Sequence, residues 1–285
     1  MKIGVFQVAP VDPAVVAQHA ESLGFESYWV GDHTTVPVEY SVPYPGFHEG
    51  KGEPAYLWQL FDPLIALARA SATTKRIGLG MGVCLVAERN PILLAKQVAS
   101  LDQMSGGRVL FGIGGGWNPE ECTVLGGDFE HRWTQVKEAI QVIRALWTEH
   151  APEHHGRYFD FAPIRVYPKP ARKPHPPILH GAIMNPRSTK RVVEWGDGWM
   201  PVVTSVEEFA AGVEDIRARA RTAGRDPAAF DLTVFGLSGQ WRTPAEVAAF
   251  ERAGAGRVII WIDAMEPDAI FREMEALARE HGISS

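Results

Sequence analysis

Residues 76–121 read RIGLGMGVCLVAERNPILLAKQVASLDQMSGGRVLFGIGGGWNPEE, and this one stretch contains a strand, a helix, a second strand and the start of a second helix. The apolar runs RIGLGMGV (76–83) and RVLFGIG (108–114) have strand length, and their near-continuous hydrophobicity suits a strand buried on both faces. Between them Asn90-Pro91 supplies a side-chain cap followed by proline at the first helical position, and Gly106-Gly107 marks the helix end. Asn118-Pro119 opens the next helix. A parallel strand–helix–strand unit is the simplest arrangement of these signals.

The same unit recurs along the chain. Further strand candidates are KIGVFQV (2–8), ESYWVG (26–31), PPILHG (176–181), GWMPVV (198–203), FDLTVFG (230–236) and RVIIWI (257–262). Cap–proline pairs recur at Asp12-Pro13, Asp62-Pro63 and Thr243-Pro244, and glycines at 24 and 254 close helical patterns. Eight strands alternating with helices predict a (β/α)8 TIM barrel, whose usual size of about 250 residues is slightly exceeded by this chain. A doubly wound open sheet is the competing architecture. Its dinucleotide fingerprint fails, because the third glycine falls on Val83 in GLGMGV and on Trp117 in GIGGGW.

All 285 residues are accordingly expected to form a single barrel domain with two insertions. Residues 36–58 follow strand two, so they should border the mouth. Residues 149–176 precede strand five, so on connectivity their start lies at the opposite rim.

Composition excludes several functions. The net charge is −6 and no long basic run appears, so nucleic acid is not an expected partner. No apolar stretch approaches the roughly 18–20 residues that span a bilayer, and the N-terminus lacks a signal-peptide pattern. Two cysteines, Cys84 and Cys122, form neither a disulfide framework nor a zinc spacing. A soluble protein of the reducing cytoplasm is expected. GFHEGKG (46–52) is one residue short of a phosphate-binding Walker loop and lacks its final hydroxyl, and no GxSxG elbow supplies a hydrolase nucleophile. The histidines of HAPEHH (150–155) lack an accompanying acid ladder, so no metal site is expected.

Reacting groups of a barrel sit where strands end. Asp32 and His33 come directly after strand two, and an imidazole beside a carboxylate suits proton transfer near neutrality. Asp32 as a turn cap and His33 bonded to a backbone carbonyl is the plainer alternative. Glu120 and Glu121 fall in the first turn after Asn118-Pro119, where a carboxylate is favoured anyway; Glu121 could instead turn inward as a second acid or base. The glycines of GIGGGWNPEE and the loop HGAIMNPRS (180–188), with Arg187 and Ser188 after Asn185-Pro186, are candidate cradles for a polar ring edge and for a phosphate, or ordinary capped turns.

Taken together, SYWVGDH, the run RNPILLAKQVASLDQMSGGRVLFGIGGGWNPEE, and KPHPPILHG followed by RVVEWGDGWMP resemble the bacterial luciferase-like monooxygenase superfamily, most closely its branch that uses coenzyme F420. The resemblance implies a barrel carrying a flavin or deazaflavin over its mouth, with hydride passing between the ring and a small organic substrate. It implies Asp32 and His33 against the deazaflavin, with His33 near the reactive carbon; the reading built on it makes His33 the catalytic group that moves the proton, with Asp32 fixing its tautomer and Glu121 a second acid. It further implies a strand-three bulge with a cis peptide at Gly82-Val83 behind the ring. Gly115, Gly116, Trp117 and Asn118 would line the ring, and the phosphate loop would run from Gly181 through Ala182, Ile183, Met184 and Asn185 to Ser188. Two departures stand out: Ala182 where relatives have the second glycine of a pair, and His180 where they have an apolar residue. An FMN-dependent monooxygenase fed by a separate reductase, and a catalytically silent flavin-binding protein, are the alternative readings. A homodimer is implied by the resemblance alone.

Overall fold

A computed structural model describes residues 1–44 and 54–284. The Walker-like stretch 46–52 and the central part of the mouth insertion lie outside the described residues. Eight parallel strands close into a barrel: β1 (Lys2–Gln7), β2 (Ser27–Val30), β3 (Gly78–Met81), β4 (Val109–Gly114), β5 (Ile178–His180), β6 (Gly198–Trp199), β7 (Asp231–Phe235) and β8 (Arg257–Trp261). Each pairs with its sequence neighbours, and β8 pairs with β1 to close the circle. All eight expected strands form. β6 is shorter than expected because Pro201 has no N–H to extend the ladder.

The helices start where the caps predicted. The side chains of Asp12, Asp62, Asn90 and Asn118 accept backbone N–H groups at the starts of α1 (Pro13–Leu23), α2 (Pro63–Thr73), α3 (Pro91–Ser105) and α4 (Pro119–Val124). Gly24 and Gly106 take φ of 95° and 72° at helix ends, a region that side chains avoid. α5 (Arg132–Thr148), α6 (Pro186–Trp195), α7 (Val206–Thr222), α8 (Pro244–Arg252) and α9 (Pro267–Glu280) complete the outer layer. Among the described residues no helix is long and apolar enough to cross a membrane.

Alternation along each strand divides the core in two. Tyr28 and Phe111 face the helices, whereas Phe6, Trp29, Leu110, Leu179, Met200, Phe235, Ile259 and Trp261 fill the barrel interior. Trp29 lies beside Phe6 and Gly80 in register, and a Cβ on Gly80 would overlap its ring, so that glycine makes room for the interior's largest side chain.

Strand three carries the feature that shapes the mouth. Between the pairs Gly80–Leu110 and Cys84–Ile113 it takes four steps while β4 takes three, which is a bulge at Gly82-Val83. The bond between these residues is cis. Val83 packs against the interior cluster, and a Cβ on either Gly114 or Gly181 would overlap its side chain.

The insertion before β5 forms a small hairpin, His154–His155 against Asp160–Phe161, and returns beneath the barrel. There the Arg172 N–H bonds Asp102 in the last turn of α3 at 2.8 Å, so this segment ends at the rim opposite the mouth.

Candidate active site at the barrel mouth

His33 follows β2 by three residues, and its side chain is 10% exposed. Its Nδ1 lies 2.7 Å from Glu121 Oε2, and the Trp117 indole N–H points at its Nε2 from 3.4 Å. An indole only donates, so Nε2 must be the accepting nitrogen and Nδ1 carries the proton given to Glu121. Glu121 is 1% exposed, its N–H is held by Asn118 Oδ1 at 3.0 Å, and its other oxygen accepts the Thr35 N–H at 3.3 Å. The capped start of α4 thus fixes the carboxylate, and the carboxylate fixes the imidazole.

Asp32 requires a correction. It does not orient His33. Its carboxylate takes a two-pronged contact from Arg89, 3.1 Å from Nε and 2.7 Å from Nη2, together with the Leu85 N–H at 2.9 Å. Arg89 also reaches Asp62 at 3.1 Å. Burial alone would lower the guanidinium's proton affinity, yet the adjacent Asp32 carboxylate outweighs it and raises the pKa. Successive residues after a strand face opposite ways, so Asp32 points down to Arg89 while His33 points across the mouth. The Asp32 side chain is enclosed and offers a ligand nothing.

The insertion after β2 folds over this centre. The Tyr40 and Tyr44 rings meet Trp117 edge-on at 5.7 and 5.3 Å, the Tyr44 and Tyr56 hydroxyls lie 3.3 Å apart, and Tyr56 packs against Trp261. The Ser41 N–H bonds Glu120 at 2.9 Å, so the two adjacent glutamates of α4 act on different partners: Glu120 fastens the loop and Glu121 holds His33.

Around the mouth the strand-four loop passes through Gly115, where a Cβ would lie 2.9 Å from the Trp133 ring, and Gly116, at φ 72°. Asn118 is 1% exposed and among the described residues its Nδ2 has no partner, a buried donor that a ligand's carbonyl oxygen would satisfy. Trp133 leads outward to a cavity of about 690 Å³ lined by Arg132, Arg187, Arg191 and Asn185. Arg191 lies over the Trp133 ring at 4.4 Å. The orphaned amide and the cavity, in which Arg132, Arg187 and Arg191 outnumber Glu130, fit a planar ring with an anionic side chain.

The strand-five loop differs from expectation at Ser188. Its hydroxyl is buried at 1% and completes the capping box with Asn185, accepting the Asn185 N–H at 3.0 Å and donating to its carbonyl at 2.8 Å. It is therefore engaged in the helix cap rather than free for a phosphate. Gly181, Ala182 and Met184 are half-buried, and Ile183 and Asn185 lie at the surface. His180 is enclosed between Trp133 and Trp195; burial first, then Arg144 and Arg191, push its pKa down to about 3, so it is a neutral wall.

Sequence reasoning placed Arg89 at the end of strand three without giving it a role, and missed Trp133, Arg132 and Arg191, which lie on ordinary helical segments. Their signal was positional: a strand-end arginine two residues before a helix, and an Arg-Trp pair at a helix start.

The profile of the luciferase-like monooxygenase family matches residues 11–280. An uncharacterized protein of Mycobacterium tuberculosis is 36% identical over 218 residues, 76% of each chain. An F420-dependent hydroxymycolic acid dehydrogenase of the same organism is 29% identical over 253 residues, 85% of this chain and 63% of its own. Among solved structures, an F420-dependent secondary alcohol dehydrogenase in complex with an F420–acetone adduct has a TM-score of 0.75 at 20% identity, covering 98% of this chain and 97% of its own. The oxygenating constituent of a 3,6-diketocamphane monooxygenase of Pseudomonas putida, in complex with FMN, has a TM-score of 0.76 at 17% identity, with the same coverage. At those identities the structural likeness is one of fold. The kinship as a whole supports an oxidoreductase. With the family profile spanning nearly all of the barrel, the chain belongs to the luciferase-like monooxygenase family.

Proposed function

We propose that this protein is an F420-dependent oxidoreductase that moves a hydride between the deazaflavin and a small organic substrate held at the barrel mouth. The observation that carries this reading is the imidazole at the strand end, backed by a buried carboxylate at 2.7 Å and fronted by an indole. When bound, the deazaflavin supplies the hydride chemistry. The chain supplies proton management and position. In the oxidising direction a substrate hydroxyl takes the place of the weak Trp117 contact at Nε2 of His33, which accepts its proton, and Glu121 balances the imidazolium through Nδ1–H; in the reverse direction Nε2 gives the proton back. Asp32, clamped by Arg89, holds the strand-two and strand-three ends together, so that His33 and the Val83 shelf keep a fixed spacing. Gly115, Gly116, Trp117 and Asn118 would border the ring, and the cavity beyond Trp133, with Arg132, Arg187 and Arg191 in its lining, would take its phosphate-bearing side chain.

Titrating the purified protein separately with F420 and with FMN tests the cofactor. Binding of F420 without binding of FMN is expected. Tight binding of FMN alone would make the chain the oxygenating half of a two-component monooxygenase, with a reductase as partner. His33→Ala is expected to leave F420 affinity within a few-fold and to lower turnover by about a hundredfold or more; unchanged turnover removes His33 from the chemistry. We also propose a cytoplasmic homodimer, and mass measurement in solution tests the dimer.

A further inference from the structure

An unbroken series of aromatic rings joins the strand-three bulge to His33. Phe6, Phe235 and Trp261 stand in the last two positions of β1, β7 and β8, so they close the barrel interior on the mouth side. The Phe6 ring lies 4.6 Å from that of Trp261 and 4.9 Å from that of Phe235, and a Cβ on Gly82 would lie 2.8 Å from the Phe235 ring. This is a floor that reaches the bulge. From Trp261 a wall rises through Tyr56, whose ring is 5.7 Å away and whose hydroxyl meets that of Tyr44 at 3.3 Å. It continues from Tyr44 to Trp117 at 5.3 Å and from Trp117 to His33 at 6.1 Å.

Along this surface polar capacity is scarce. The Tyr44 and Tyr56 hydroxyls face each other, and the Trp117 N–H is directed at His33. Nε2 of His33, behind that weak contact, is the acceptor open to a ligand. Positive charge is scarcer still. Arg242 bonds the Trp261 carbonyl at 2.6 Å but is paired with Asp263 and Glu273, and Arg89 is paired with Asp32 and Asp62. Glu88, beside Arg89, is an acid 7% exposed whose carboxyl oxygens have no hydrogen-bond partner among the described residues. The guanidinium groups of Arg132, Arg187 and Arg191 stand elsewhere, in the cavity beyond Trp133.

We propose that the inner mouth takes an uncharged substrate with an apolar body and one hydroxyl or carbonyl, its oxygen at His33 and its carbons against the aromatic floor and wall. A polyol laid on this surface would bury several hydroxyls against rings that cannot bond them. A carboxylate or phosphate would give up its hydration with no free cation to meet it. Ring faces and edges, by contrast, accept an apolar body at no polar cost. The molecule thus separates two kinds of ligand: anionic groups are received outside Trp133 and uncharged ones inside it. This inference rests on the reading of His33 as the proton-transfer group, which brings the substrate's oxygen to the end of strand two.

Three probes built on the same carbon ring test it: cyclohexanol, cyclohexanecarboxylate and myo-inositol. Binding to the full-length protein, alone and saturated with F420, is titrated by NMR as saturation transferred from the protein's aromatic protons to the ring protons of each probe. Cyclohexanol is expected to bind, and the carboxylate and the polyol to bind about tenfold more weakly or not at all. Tyr44→Ala removes a ring from the wall and is expected to weaken cyclohexanol about tenfold, whereas Tyr44→Phe keeps the ring and should change it less than about fivefold. Tyr56→Leu removes the neighbouring ring and is expected to weaken cyclohexanol as well, which keeps the test open should the alanine variant not fold. Equal or tighter binding of the carboxylate or of inositol, no transfer to cyclohexanol in either form of the protein, or cyclohexanol binding indifferent to the loss of both tyrosine rings overturns the proposal. Failure of F420 to bind, with the order of the probes intact on the cofactor-free protein, overturns the cofactor reading instead and leaves this one standing.

Discussion

Two arginines, Arg257 at the base of the barrel and Arg89 at its mouth, each draw two carboxylates together, yet their settings differ. Arg257 is 2% exposed and engages all three guanidinium nitrogens: Glu26 at 2.8 Å from both Nε and Nη2, Asp231 at 2.9 Å and Thr233 at 2.8 Å from Nη1. These residues start or precede β8, β2 and β7, so the network ties three strands at one end. Arg89 clamps Asp32 and Asp62 in the same way, but beside it, among the described residues, stand Glu88 with no hydrogen-bond partner for its carboxyl and Asn118 with a free amide. The base leaves nothing unsatisfied in this network. The mouth keeps unspent hydrogen-bonding capacity and charge, the condition for binding and proton transfer and a cost to stability.

The contrast breaks most directly at Arg257. Arg257→Met should cost about 3 kcal/mol at neutral pH, since it strands Glu26 and Asp231 beside buried strands. Burial alone would raise the pKa of Glu26, and the Arg257 hydrogen bonds lower it instead. Its stabilising contribution is therefore present above the unfolded value of 4.5 and is lost as pH falls through the lowered one. The variant's deficit in urea unfolding should accordingly shrink at low pH. Activity per folded molecule should be unchanged.

Glu121→Gln should do the reverse. Turnover is expected to fall about a hundredfold, because the amide no longer balances an imidazolium, while the urea midpoint moves little. Equal losses of stability and turnover would make the pair a structural contact and erase the contrast. Arg191→Ala is expected to weaken cofactor binding by about tenfold at unchanged turnover, with the difference shrinking at high salt, if the outer cavity seats an anion. The measurement is a binding isotherm at two ionic strengths.

The barrel itself was legible because periodicity and caps are local: Asn90-Pro91 and Gly106 state where α3 begins and ends without reference to the rest of the chain, whereas the Arg257 network at its base was not read at all. The mouth was legible only in part. His33 and Glu121 could each be picked out by their place after a strand, but their pairing joins residues 88 positions apart and depends on where the Asn118 cap sets the first turn of α4. Asp32 misled because adjacency in sequence suggested contact, whereas consecutive residues diverge at a strand end. Glu88 carries no sequence signal, since what matters about it is the missing partner, a property of the packed structure alone.

The smallest expected effect concerns the loop over the mouth. Tyr44 and Tyr56 share a hydroxyl contact at 3.3 Å, and burial raises the pKa of both, with Tyr44 raising that of Tyr56 further, so neither ionises near neutrality. Tyr44→Phe keeps the ring against Trp117 and removes one hydroxyl from a partly buried pair, a loss of about 1 kcal/mol at most. If the loop only shapes the substrate's entrance, KM should change by less than about fivefold, with kcat and cofactor affinity preserved, because that energy is expressed in binding and is absent from the proton-transfer step. Steady-state kinetics with any accepted substrate separates the two constants. A fall in kcat as large as that of Glu121→Gln would place the tyrosine hydroxyls in the proton path and extend the unspent capacity of the mouth from His33 out into the loop.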